Sequence, residues 1–189
     1  MDTWTLHIGY PIVTATRDYE KKILNLKQER FYINGIPEKN DTSLWWIPVT
    51  YISEGHKSAS KLWMEAEEEL DVALNAAGDE WLLVNVNQTG YYRVNYDDEN
   101  WEMIVRELNS KRGTETFDPK NRAQLVDDAM NLANGGYLDY STALNVTRYL
   151  VNEREYVPWK AAFNAFDFLY QIFSRSGQFD KYKVRKRQI

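Results

Sequence analysis

Near Asp97 the hydrophobic period of this chain changes from two residues to between three and four, which restricts the fold to strands first and helices after. Before the switch, short apolar runs alternate with turn chemistry. Thr3-Trp4-Thr5-Leu6-His7 alternates, Gly9-Tyr10-Pro11 turns, and Ile12 to Thr16 reads as a second strand. Ile23 to Tyr32 holds a third extended segment and room for a fourth, closed by Asn34-Gly35, a hairpin signal. Leu44 to Tyr51 is rich in β-branched and aromatic residues, and its Pro48 points to an edge strand or a bulge. Trp81–Val86 and Gly90–Tyr96 read as a closing pair of strands. Glu65 to Ala77 stays open between a surface loop or irregular helix, favoured by its Glu and Ala, and a distorted strand.

After the switch, Asp97 or Asp98 caps a helix to about Asn109, with Trp101, Ile104, Val105 and Leu108 on one face. Asp118-Pro119 opens a second helix, stopped near Asn134 by Gly135-Gly136. A third runs from Ser141 to about Asn152. A fourth starts at Pro158 and carries Trp159, Phe163, Phe166, Tyr170 and Phe173 as an aromatic stripe, read as core. The fold class is therefore α+β in two parts: a β-sandwich over residues 1–96, then an α-helical, hairpin-like solenoid segment over 97–189.

The chemistry of the chain excludes more than it offers. The net charge of −5 argues against a nucleic-acid partner, and the basic run Lys181–Arg187 reads as a solvated tail. Without cysteine there is no disulfide, thiolate metal site or thiol nucleophile. Met1-Asp2-Thr3-Trp4 is no signal peptide and no run is long enough to span a bilayer, so any anchor is expected outside this chain. The two histidines, His7 and His56, lie in different segments. The first is expected half-buried in a strand and the second solvent-facing in a polar loop, so no metal ligand set and no catalytic residue is assigned. Asp127-Asp128 is the sharpest acidic pair. Adjacent helical positions diverge by about 100°, so the pair is expected to serve ion pairing or capping at a packing surface near Arg122. Three sequons, at Asn40, Asn87 and Asn145, lean toward a secreted, N-glycosylated protein. Asn40 is the best placed, and Asn145 depends on its helical face pointing outward.

Five segments then fall in one order. Trp4 to Val13, Trp45 to Thr50, Asn85 to Asp97, Asn121 to Ala129 and Glu155 to Ala162 resemble successive motifs of the M1 zinc aminopeptidases, closest to the membrane-bound aminopeptidase N branch. The first three resemble the segment that enters the family's β-sandwich and strands of that sandwich. The last two resemble opening helices of its C-terminal helical domain. His7 stands where the family has Gln, and after Gln178 the likeness loosens.

The resemblance implies a zinc exopeptidase in which a metal-activated water attacks the first peptide bond. It also implies that the zinc and the catalytic residues belong to a preceding domain, since this chain carries no His-Glu-x-x-His. A non-catalytic support beside the catalytic domain is the expected role, on the extracellular face of the plasma membrane. A receptor module for a toxin, virus or other protein ligand is the alternative. An intrinsically active enzyme is disfavoured by the missing motifs. Helices without their partners would leave the Trp159–Phe173 stripe partly covered, so self-association through exposed helical surface, or a mobile last helix, is also expected.

Overall fold

Strand β1 (Pro11–Asp18) is paired on both sides, antiparallel to β2 (Ile23–Arg30) and parallel to β7 (Arg93–Tyr96), in a computed structural model describing residues 2–174. The sheet runs β5-β2-β1-β7, with β5 (Glu69–Ala73) at one edge. A second sheet, β4-β3-β6, is built from β3 (Trp46–Ser53), β4 (Ser60–Glu65) and β6 (Leu82–Val84). In β2 the alternation works as the pattern requires, with Leu24, Leu26 and Gln28 buried while Lys27 and Glu29 are exposed. Gln28 ties the sheets together: its amide nitrogen donates to Trp45 O (2.9 Å) and its oxygen accepts from Trp45 N (2.8 Å). Strands first and helices after is the order observed.

Several local expectations need correction. The Trp4 segment is no strand: α1 (Asp2–Leu6) is a short helix with no buried residue, so its alternation had no sheet face to cover. Asn34-Gly35 does turn, yet it closes no hairpin, because β2 and β3 belong to different sheets. Ile23 to Tyr32 holds one strand, not two. The segments around β6 and β7 do not pair with each other. The left-handed residues Asn85, Asn87 and Gln88 carry the chain across, and the Asn85 side chain holds Gly90 N, Gly90 O and Tyr92 O. Glu65 to Ala77 contains strand β5, reached after a left-handed Ala66 where the chain changes sheets.

Pro48 lies on the central strand of its sheet, against the edge expectation, and its position shows why it is tolerated. Thr50 O accepts from Asn85 N (2.7 Å), and Pro48 O, on the same side of β3, meets only the Tyr92 hydroxyl (3.4 Å). Strand β6 pairs β3 only over Tyr51–Ser53, so the missing N–H of Pro48 breaks no ladder bond.

The helical half follows its caps. In α2 (Asp98–Leu108) the Asp97 carboxylate accepts from Asn100 N (2.8 Å), and Trp101, Ile104 and Leu108 are buried. A single turn, α3 (Gly113–Thr116), precedes α4 (Pro119–Asn134), which Asp118 caps and which is largely buried. Helix α5 (Tyr140–Val146) runs into a 3-10 turn, Thr147–Asn152.

Helix α6 (Tyr156–Phe173) packs against α4, but not by the expected stripe. Its buried face is Pro158, Ala162, Phe166 and Leu169. Of the aromatic five only Phe166 is buried, while Phe163 and Tyr170 are 52% and 44% exposed. Proline and alanine seat the helix closely, and an aromatic count passes over them. The residues after Ser174, among them the basic run Lys181–Arg187, lie outside the described residues.

One hydrophobic cluster runs from Ile12 and Leu26 through Trp101 to Leu132 and Phe166, joining strands to helices. Two glycine signals read separately meet at this junction. Gly35 has φ 66°, and a Cβ there would sit 2.2 Å from Gly135 O at the end of α4. Gly35→Ala is expected to cost about 1–3 kcal/mol in chemical denaturation, more than Gly55→Ala, where the left-handed backbone (φ 79°) faces open space. Equal costs at the two sites would show that the turn does not dock on the helix end.

Candidate functional site

Strand β7 is the edge of its sheet, so its outer N–H groups need partners. Asp128, on α4, supplies one: its Oδ2 accepts from Val94 N (3.1 Å). Its Oδ1 accepts from Arg93 Nη1 (2.9 Å), and the same nitrogen donates to Asp127 Oδ2 (2.7 Å). The two acids therefore do converge, contrary to the helical-angle expectation, because a long cation reaching from the neighbouring strand bridges them. Arg122 is not their partner. The Arg93 guanidinium also sits over the Phe31 ring (5.1 Å), and its Nε donates to the Tyr10 hydroxyl (3.2 Å).

Burial pushes the Asp128 carboxyl up to about 7, outweighing the pull of Arg93, and the Asp127 charge adds to the rise. The folded state thus holds this proton more tightly than the unfolded chain, where aspartate titrates near 3.8. That contribution to stability is complete below pH about 4 and is lost as pH rises through about 7. Asp128→Asn is expected to flatten the fall of Tm across this window, read by thermal unfolding at stepped pH. An unchanged slope would mean that the carboxylate stays ionised throughout.

Two further polar contacts join the halves or lock the helices. Asn100 on α2 grips the backbone of Leu82 on β6, donating to its carbonyl and accepting from its N–H, both at 2.9 Å. Arg122 forms a bidentate pair with Glu153 (Nε–Oε2 2.6 Å, Nη2–Oε1 2.8 Å) and donates to the carbonyls of Thr114 and Phe117. Burial alone would raise the Glu153 carboxyl, but Arg122 and the amides of Glu155 and Arg154 hold it below the ordinary carboxylate range.

The histidines stay apart. His7 is half-buried as expected, but in a bend, edge-on to Trp45 at 5.4 Å, and exposed His56 shares a hydrogen bond with Ser53 Oγ (2.8 Å). No group of three or more His, Asp or Glu able to hold a metal occurs among the described residues, so they do not fit a zinc ion.

Asn40 and Asn87 are exposed, both with left-handed backbones. Asn145 is half-buried, and its sequon partner Thr147 is buried, with its hydroxyl donating to Leu144 O (2.8 Å). Sequence reading missed Arg93 and Glu153. A cation next to Val94 in a short strand was the one available signal for the first, and nothing in the local pattern marks the second.

A family described as the ERAP1-like C-terminal domain matches residues 81–188. Over its full length the chain is 35% identical to aminopeptidase N of Homo sapiens, covering 19% of that protein. It is 39% identical to aminopeptidase N of Plutella xylostella, over 93% of the chain and 19% of the relative. The thyrotropin-releasing hormone-degrading ectoenzyme of Mus musculus is 36% identical over the whole chain, which spans 18% of that protein. The chain thus corresponds to about a fifth of these relatives.

Proposed function

Because the chain belongs to the ERAP1-like C-terminal domain family, within the aminopeptidase N type of M1 aminopeptidase, we propose that it is a non-catalytic supporting part of a metallopeptidase that removes N-terminal residues from peptides. Residues 1–96 serve as the sandwich domain that props the catalytic domain, and residues 97–189 as a helical domain that walls the substrate cavity. What supports this reading is the Arg93–Asp127–Asp128 junction, which fixes the helices on the last strand. A wall displaced by about 1 Å costs activity on the order of a hundredfold, so a rigid joint suits the role.

In the whole enzyme zinc resides in the catalytic domain, and the protein stands at the outer face of the plasma membrane. No helix among the described residues is long and apolar enough to cross a membrane. Asn40 and Asn87 carry N-linked glycan, and Asn145, with its buried threonine, is the poorest acceptor.

Incubating the purified chain with an aminoacyl chromogenic substrate, with and without zinc, is expected to give no turnover. Zinc-dependent release above the blank would overturn the assignment. In the whole enzyme, Arg93→Ala is expected to lower kcat/KM at unchanged zinc content, and full activity would remove the positioning role.

A further inference from the structure

The pair Asn-Gly occurs twice in the sequence, at Asn34-Gly35 and at Asn134-Gly135, and the fold brings the two together. Gly35 packs so closely on the Gly135 carbonyl that no Cβ fits between them. An asparagine before glycine is open to attack by its own backbone, because no Cβ on the next residue shields the attacking nitrogen. The two copies nevertheless sit in opposite settings.

Asn34 is exposed in the loop after β2, and Ile36 N donates to its Oδ1 (3.2 Å). That bond folds the side-chain carbonyl back over the following peptide, toward Gly35 N. It also places a donor where negative charge would develop on Oδ1. Gly35 N is restrained only by a turn bond to Tyr32 O (2.9 Å) in this exposed loop, and such solvent-facing bonds open readily. Asn134, by contrast, is the half-buried last residue of α4, and Gly135 N is held by Asn131 O (2.9 Å) in the helical ladder. Ring closure there requires the end of a largely buried helix to unwind.

We propose that Asn34 is a site of spontaneous deamidation, and that its product loosens the joint between strands and helices. Gly35 N gives its proton to solvent base and attacks Asn34 Cγ, while the oxyanion formed on Oδ1 is met by Ile36 N–H. The Cγ–Nδ2 bond then breaks, and the nitrogen leaves as ammonia with a proton from solvent, closing a five-membered succinimide. Water opens that ring at either carbonyl. One route gives aspartate, and the other gives isoaspartate, in which the main chain runs through Cγ. Either product puts a carboxylate in the turn that packs on the C-terminal end of α4, where the helix dipole is already negative. Isoaspartate also lengthens the backbone beside the Gly35–Gly135 contact and the bond from Tyr32 N to the Tyr137 hydroxyl (3.2 Å).

The test is to age the 189-residue chain in mildly alkaline buffer and map its peptides by mass spectrometry. The peptide holding Asn34 is expected to exchange its amide for a carboxyl and to separate into aspartate and isoaspartate forms. The peptide holding Asn134 is expected to stay intact in the folded chain and to react in urea, where the helix no longer protects it. The aged chain is expected to unfold at a lower temperature than the fresh one. Asn34→Gln, whose longer side chain closes a six-membered ring only slowly, should keep its mass and its Tm over the same period. An Asn34 that survives in the folded chain would overturn the site, and equal reaction at Asn34 and Asn134 would overturn the structural reason for it. An aged, deamidated chain with unchanged Tm would overturn the loosening of the joint.

Discussion

Glu153→Ala is expected to lower the unfolding free energy by about 3–5 kcal/mol, the cost of stripping one member from a buried pair. Arg122 and Glu153 have side chains only 2% and 1% exposed, so water cannot replace the lost partner. The guanidinium would keep its bonds to Thr114 and Phe117 carbonyls but lose both charge-assisted contacts. The Arg154 and Glu155 amides, just ahead of α6, would lose their acceptor too. Arg122→Ala should cost a similar amount, and the double variant clearly less than the two together, since the second substitution removes a charge already orphaned. Urea unfolding of the four proteins measures this. Strict additivity would show that the two side chains act independently.

Arg93→Met is the second large effect, expected at about 3–5 kcal/mol near pH 8. Methionine keeps much of the side-chain length but removes the guanidinium from over Phe31 and leaves two carboxylates without their bridge. Asp127, 40% exposed along its side chain, can turn to water, whereas Asp128, at 7%, cannot. Asp128 must then take a proton to stay buried. The loss is therefore expected to shrink at pH 5, and Asp128→Asn in the same chain should recover part of it at pH 8. A penalty independent of pH and unrelieved by asparagine would place the damage in packing and not in charge.

Burial of the helix faces in α2 and the limits of α4 were legible because capping is local. Asp97 and Asp118 accept from amides two or three residues on, and proline at the first turn needs no distant partner. Strand existence was legible for β1, β2 and β3 by the same logic. Strand partnership was not, since β7 lies parallel to β1 from more than seventy residues away. The hairpin expectation at Asn34-Gly35 failed for that reason: the turn is real, and its partner is the end of α4. The α6 stripe failed because an aromatic pattern gives a helix face no information about which side a neighbour will occupy.

The order of strands before helices, the caps and the family motifs were written in local spacing and residue identity. Folding alone chose which sheet each strand joins, which side of α6 is covered, and that one arginine draws two diverging aspartates together. Caps and periods act within about one turn of chain, where the backbone itself sets the distances. Sheet membership and buried charge pairing depend on side chains that meet across dozens of residues, and their energies exist only after water has been excluded between them.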